Sequence, residues 1–202
     1  MVEFPDHSAQ EEMIHVIGNA ELLWKGSGVN KRKILRYGKS TWGRSEDDLE
    51  MYKMLKPYAT GRVLNVGLGM GTSAEKLLEK TEITEFIAYE LEGDIISMYN
   101  WRATPDGRTS ILQQDAHVHK PTGNFDVILY ELQMNSQEWY DQAKVYLQWA
   151  YNHLTPEGLI ILPHNRFSEA LVREFLSLLD VTVLTKETGK KPTPIWIICA
   201  KK

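Results

Sequence analysis

The sequence predicts an α/β chain, a mostly parallel β-sheet with helices on both faces. Two patterns carry that reading. From about residue 61 onward, short apolar runs alternate with segments of helical period, and strands joined by helical crossovers form parallel sheets covered on both sides. The first of these runs also enters a glycine-rich turn that opens onto a helix, the place where α/β sheets present backbone to a ligand.

The elements follow in order. Arg62-Val63-Leu64-Asn65-Val66 is the first strand of the alternation. Thr72–Lys80 is its helix, with Ala74, Leu77 and Leu78 at helical spacing and Thr72 or Ser73 available as a cap. Phe86–Tyr89 is the second strand, and Gly93–Trp101 the helix after it. Thr109–Gln113 makes the third strand; Phe125–Tyr130 makes the fourth, after the turn signal Pro121-Thr122-Gly123-Asn124. A longer helix over Ser136–His153 carries Tyr140, Ala143, Leu147 and Ala150 near one face. Thr155-Pro156-Glu157-Gly158 is expected to break the chain before a fifth strand, Leu159–Leu162. Phe167–Leu179 is amphipathic, and Val181–Leu184 and Ile195–Cys199 are two strands joined through a loop containing Gly and Pro. Ahead of this alternation, Ile14, Ile17, Leu22 and Leu23 suggest an amphipathic helix interrupted near Gly18. Residues 1–60 are expected to cap the ligand cleft within a single domain spanning 1–202.

Composition excludes several classes. With 202 residues, 43% hydrophobic and 25% charged, the chain can bury a core and is not disordered. A net charge of −4 argues against nucleic acid as an obligatory partner. The local basic stretch of Lys31-Arg32-Lys33, Arg36 and Lys39 reads first as solvated surface and second as a contact for an anionic partner. Cys199 is the only cysteine, so no internal disulfide forms, and the N-terminus lacks the pattern of a secretory signal. No apolar run approaches the roughly 20 residues that span a bilayer. The expectation is a cytoplasmic protein with no membrane partner. No cysteine pair or His/acid cluster predicts a metal site; His117 and His119, able to share a strand face, fit ordinary polar roles.

The chemical signal is Gly67-Leu68-Gly69-Met70-Gly71, directly after the first strand of the alternation. Glycines permit a tight turn and let a ligand approach backbone that a Cβ would shield, while the helix that follows offers unpaired N–H groups. Glu90 lies 19 residues beyond Gly71 at the end of the second strand, where a carboxylate can accept hydrogen bonds from both ribose hydroxyls. A solvated strand-end acid is the plainer reading and Glu92 a neighbouring competitor; Glu90 is favoured because it directly follows the apolar strand. Asp115, after the third strand, can contact an adenine amino group or serve as a turn residue, and both readings stand. Leu91 and Ala116 belong to the same expected cofactor site. The Gly-x-Gly-x-Gly spacing differs from the Gly-x-Gly-x-x-Gly of dinucleotide oxidoreductases. Together with Leu154-Thr155-Pro156-Glu157-Gly158, similar to the Leu-x-Pro-Gly-Gly segment of methyltransferases, it favours S-adenosylmethionine as cofactor.

These motifs resemble a Rossmann-like class I methyltransferase and, more narrowly, the guanidinoacetate N-methyltransferase family. Gly67-Leu68-Gly69-Met70 is similar to that family's Gly-Phe-Gly-Met turn, and Phe125-Asp126-Val127-Ile128-Leu129-Tyr130-Glu131 to its Phe-Asp-Gly-Ile-Leu-Tyr-Asp. The resemblance spans roughly Trp42 to Asn165. It implies a seven-stranded sheet whose last strand runs antiparallel beside the fifth. It also implies methyl transfer to a small-molecule acceptor, a guanidino or amine nitrogen. Glu131 stands where the family's catalytic aspartate stands and is expected both to orient the acceptor and to border the cofactor. Glu46, Asp47 or Asp48 would supply a second carboxylate, Glu46 by its spacing to the first strand of the alternation. Two departures bear on substrate identity: Glu131 is one methylene longer than that aspartate, and Gly71 replaces an alanine. No Asp-Pro-Pro-Tyr or Asn-Pro-Pro-Tyr motif follows Tyr130, which weakens the case for a base-flipping DNA amino-methyltransferase. Aminopropyl transfer on the related polyamine-synthase fold and a noncatalytic cofactor-binding or interaction module are the alternatives.

Overall fold

The computed structural model describes residues 11–25, 32–44, 46–104, 106–132, 136–188 and 191–202. Among the described residues there are two sheets. Four antiparallel strands form the first in the order β1-β2-β3-β4: β1 (Glu11–Ile17), β2 (Ala20–Lys25), β3 (Arg32–Tyr37) and β4 (Ser40–Arg44). Helix α1 (Glu46–Lys53) and a 3-10 turn at Lys56–Tyr58 lead into the second sheet. Its parallel part comprises β5 (Gly61–Val66), β6 (Ile83–Glu90), β7 (Thr109–Gln113), β8 (Phe125–Tyr130) and β9 (Leu154–Pro163). Helices α2 (Thr72–Leu77), α3 (Gly93–Arg102) and α4 (Gln137–Asn152) lie between these strands, and α5 (Arg166–Glu174) precedes the last pair, β10 (Leu179–Thr188) and β11 (Lys191–Lys201). The order is β10-β11-β9-β8-β5-β6-β7, with β11 antiparallel to both β9 and β10. This is the Rossmann-like seven-stranded plan with an inserted antiparallel terminal strand.

Alternation along the central strands divides the core. Leu64, Val66, Ile128, Tyr130, Ile160 and Leu162 face one side and pack with Ala143, Tyr146, Leu147 and Ala150 of α4. Val63, Val127, Leu129, Ile161 and Ile198 face the other side and meet Ala74, Leu77 and Tyr99. Period-2 side chains on strands buried on both faces leave near-continuous apolar runs, as the sequence has. Each fully buried Leu or Ile contributes roughly 1.5–3 kcal/mol of transfer free energy. Ser136 caps α4 by accepting from Trp139 N, and Asn165 caps α5 by accepting from Phe167 N and Ser168 N.

Three expectations need correction. The region of Ile14 to Leu23 is a β-hairpin, not a helix: Gly18 takes a φ of 54° and, with Asn19, reverses the chain between β1 and β2. Gly-Asn between β-rich runs is a hairpin signal that outweighs the approximate helical spacing. Neither Thr72 nor Ser73 caps α2, because Gly71 occupies the N-cap in a left-handed conformation. The Thr155–Gly158 segment lies inside β9, where pairing jumps from Phe125↔Leu154 to Val127↔Leu159 as a bulge. Among the described residues no helix is long and apolar enough to cross a membrane.

The N-terminal sheet packs against α3 and the glycine turn. Ala20, Leu22 and Leu35 form a buried cluster with Met70, Ile95 and Met98. At its margin Tyr37 donates its hydroxyl to Glu92 at 2.7 Å, and Asn19 N donates to Asp94 at 2.8 Å. Gly71 (φ 67°) lies so close to Tyr99 that a Cβ there would enter the ring, whereas Gly38 (φ 55°) has open space around it. Gly71→Ala is therefore expected to destabilise by about 1–3 kcal/mol more than Gly38→Ala, since both carry the left-handed penalty and only one meets the ring. Urea midpoints of the two variants check this; equal losses would contradict it.

Candidate active site

Register brings the site together. Val66 is level with Tyr89 on β6 and with Tyr130 on β8. The next residues of three adjacent parallel strands, Gly67, Glu90 and Glu131, therefore emerge side by side at the strands' C-terminal ends. Two backbone bonds seal this row: Gly67 N donates to Tyr89 O at 3.0 Å, and Glu131 N donates to Val66 O at 2.9 Å.

The turn is left-handed at each of its glycines, with φ of 93° at Gly67, 50° at Gly69 and 67° at Gly71. At Gly67 a Cβ would also come within 3.0 Å of Leu132 Cδ2. Gly71 N donates to Leu68 O at 2.7 Å, closing the bend before α2. Met70 turns its side chain away into the cluster under the N-terminal sheet. A narrow cleft runs there, bounded by Gly69, Met70, Tyr99, Arg102, Leu22 and Leu35.

Glu90 faces the turn. Its Oε2 accepts from Leu68 N and Gly69 N, both at 3.2 Å, and its Oε1 from Leu91 N at 2.8 Å and Glu92 N at 3.1 Å. The carboxylate thus holds the turn closed from the next strand. Leu91 beside it is exposed, an apolar side chain at the rim of the row. Gln114 N donates to Glu90 O at 3.0 Å, which sets Asp115 one residue beyond the row. Asp115 Oδ1 accepts from His117 N at 2.8 Å, a turn role, and Ala116 is buried in the core. The histidines do not share a strand face: both lie in the turn after β7, and His117 Nε2 sits 2.9 Å from the Tyr130 hydroxyl. No group of three or more potential metal ligands exists among the described residues.

Glu131 has the most altered environment. Desolvation pushes its pKa up to about 7, against the opposing influence of Tyr52, Ser73 and Asn65, which favour the charged form. The Tyr52 hydroxyl donates to Glu131 Oε1. Asn65 and Ser73 are almost fully buried, and among the described residues Asn65 Oδ1 has no hydrogen-bond partner. Unpaired buried oxygens of this kind are costly unless a ligand completes them. Glu46 opens α1, but its side chain, like those of Asp47, Asp48 and Trp42, lies outside the described residues. Sequence reasoning missed Asn65, Ser73 and Tyr52. The first had a readable signal, a polar residue inside the apolar run Val63-Leu64-Asn65-Val66; Tyr52 had none.

The sheet order with its aligned turn and acids defines the class I methyltransferase fold. Comparison with known proteins agrees. The model of the guanidinoacetate N-methyltransferase family matches residues 33–178, and the chain belongs to that family. The N-methyltransferase NodS from Bradyrhizobium japonicum WM9 is similar in structure at a TM-score of 0.59 and 14% identity, over 77% of this chain and 93% of that one. A second structure of NodS holds S-adenosyl-L-homocysteine, with TM-score 0.58 and 13% identity over 77% of this chain and 84% of that one. Spermidine synthase from Thermotoga maritima is similar at a TM-score of 0.64 and 16% identity, over 95% of this chain and 73% of that one. No curated protein sequence matches the chain significantly.

The raised pKa of Glu131 has a stability consequence. The native state holds this proton more tightly than the unfolded chain does, so stability falls as pH rises from the ordinary carboxylate value of 4.5 through about 7. Glu131→Gln, which removes the charge at similar shape, is expected to raise stability by about 1–3 kcal/mol at pH 8 and by little at pH 4. Urea unfolding at the two pH values checks the difference; a pH-independent effect would contradict the buried-charge account.

Proposed function

We propose that this chain is a methyltransferase using S-adenosylmethionine to modify a small-molecule nitrogen, of the guanidino or amine type. The observation that carries the reading is the single row formed by Gly67, Glu90 and Glu131, with an unusually basic carboxylate at one end. The residues fit the cofactor. A left-handed, side-chain-poor turn stands beside a carboxylate that already accepts from backbone N–H groups, and among the described residues the buried Asn65 Oδ1 nearby lacks a donor.

When bound, S-adenosylmethionine supplies an electrophilic methyl group on its sulfonium. Gly67, Leu68, Gly69, Met70 and Gly71 would cradle it, and Glu90 would accept from the ribose hydroxyls in place of the long bonds to Leu68 N and Gly69 N. Leu91, Asp115 and Ala116 would border the adenine. Glu131, at the edge of the same site, would orient the acceptor. Held near pH 7 at its midpoint, it can accept the proton that the attacking nitrogen must shed. Its extra methylene relative to an aspartate sets the depth at which that nitrogen is held. Glu46, at the start of α1, is proposed as the second acid. Residues 1–60 are proposed as the cap over this cleft, in one domain with the rest.

A second reading has a specific observation behind it. The likeness to spermidine synthase extends over 95% of this chain, which keeps aminopropyl transfer from decarboxylated S-adenosylmethionine in view. The two reactions differ in coproduct: S-adenosylhomocysteine from methyl transfer, methylthioadenosine from aminopropyl transfer.

Calorimetry should detect S-adenosylmethionine binding to the wild-type protein, with a loss of about tenfold or more in Glu90→Ala. In a screen of guanidino and amine acceptors, S-adenosylhomocysteine should accumulate. Glu131→Gln should lower turnover by about 10²–10⁴-fold while leaving cofactor affinity within a few-fold. Binding without any transfer would favour a noncatalytic module; unchanged turnover in Glu131→Gln would refute the role given to that acid.

A further inference from the structure

Glu131 is held from a part of the chain remote in sequence. Tyr52 lies on α1, 79 positions earlier, and its hydroxyl reaches Glu131 Oε1. The helix that carries it is anchored at the same point. Trp196 of β11 donates its indole N–H to Met51 O at 2.9 Å, and its ring lies 5.4 Å from that of Tyr52 at a tilt of 58°. Trp196 is buried, so the phenol is braced by the terminal antiparallel strand while its polar end faces the acid. Helix α1 therefore reaches the carboxyl group that follows β8, and β11 anchors that helix.

We propose that Tyr52 is the positioning residue for Glu131, fixing one carboxylate oxygen from α1 and with it the direction in which the carboxylate meets the acceptor nitrogen. A glutamate has one more rotatable bond than an aspartate, and freedom at that bond would spread the proton-accepting oxygen over several positions. Misplacement of about 1 Å is enough to cost a large part of a rate. A phenol braced by a buried indole removes that freedom at the longer side chain. It also links the acid to the segment running from the N-terminal sheet into β5, so that α1 and the acid are ordered together. Tyr52 from α1, Asn65 from β5 and Ser73 from α2 face the carboxyl; of these only Tyr52 is ionisable, and in its neutral form it donates.

The inference rests on the reading of Glu131 as the acceptor-facing acid, and the test separates the two. Carboxyl ¹³C NMR of glutamate-labelled protein, with Glu131→Gln assigning the resonance, follows Glu131 in the wild type and in Tyr52→Phe. The phenylalanine retains the ring against Trp196 and removes only the donor. Its Glu131 midpoint should move upward, S-adenosylmethionine affinity should stay within about twofold, and amide exchange in residues 46–53 should quicken. An unmoved midpoint would overturn the positioning role, whatever the enzyme's activity. A shifted midpoint together with full turnover in Glu131→Gln would uphold the bond and instead defeat the reading on which it depends. Trp196→Phe, which loses the anchor at Met51 O, should move the midpoint in the same direction by a smaller amount.

Discussion

The parallel pairing of β5 with β6 and β8 is the constraint on which the rest depends. Because Val66 is level with both Tyr89 and Tyr130, three chain segments leave the sheet at the same height and in adjacent lanes. A slip of one residue on either neighbour would turn its core face outward and carry its acid out of line. Burial of Leu64, Val66, Phe86, Ile128 and Tyr130 makes such a slip expensive. Placement of the glycine turn and the two acids is thus a by-product of core packing.

Electrostatics then differentiates two chemically identical acids. Glu90 accepts from four backbone N–H groups, an environment that suits a hydrogen-bond acceptor. Glu131 meets desolvation, which raises its proton affinity and which the hydrogen bond from the Tyr52 phenol only partly offsets. In the proposed function one acid grips hydroxyls and the other exchanges a proton. Both residues directly follow a buried tyrosine, so the difference between them comes from what each strand end faces.

Much of this was legible in the sequence for physical reasons. Strands buried on both faces appear as apolar runs, so Phe125–Tyr130 was located to the residue, and Gly67–Gly71 announced the turn because left-handed φ at three positions demands glycine. Glu90 followed from its distance to that turn. Other features depended on tertiary contacts that no local pattern records. The N-terminal hairpin was obscured because Ile14, Ile17, Leu22 and Leu23 match a helical period as well as they match strands, and Gly18-Asn19 was the deciding signal. Asp115 shows a turn role that its surroundings alone left open. Tyr52 was invisible because its meaning comes from Trp196 and Glu131, 144 and 79 positions away, neither of which has a sequence signature for the contact.

The central claim is that the adenosyl group lies along the row from Gly67 to Glu131 with its sugar on Glu90. Crystals of the protein grown with S-adenosyl-L-homocysteine test it directly. The account predicts ligand density over the glycine turn, ribose hydroxyls within hydrogen-bond distance of Glu90, and Leu68 N and Gly69 N released from that carboxylate. Density in any other cleft, or a Glu90 that keeps its backbone partners while ligand is bound, would contradict it.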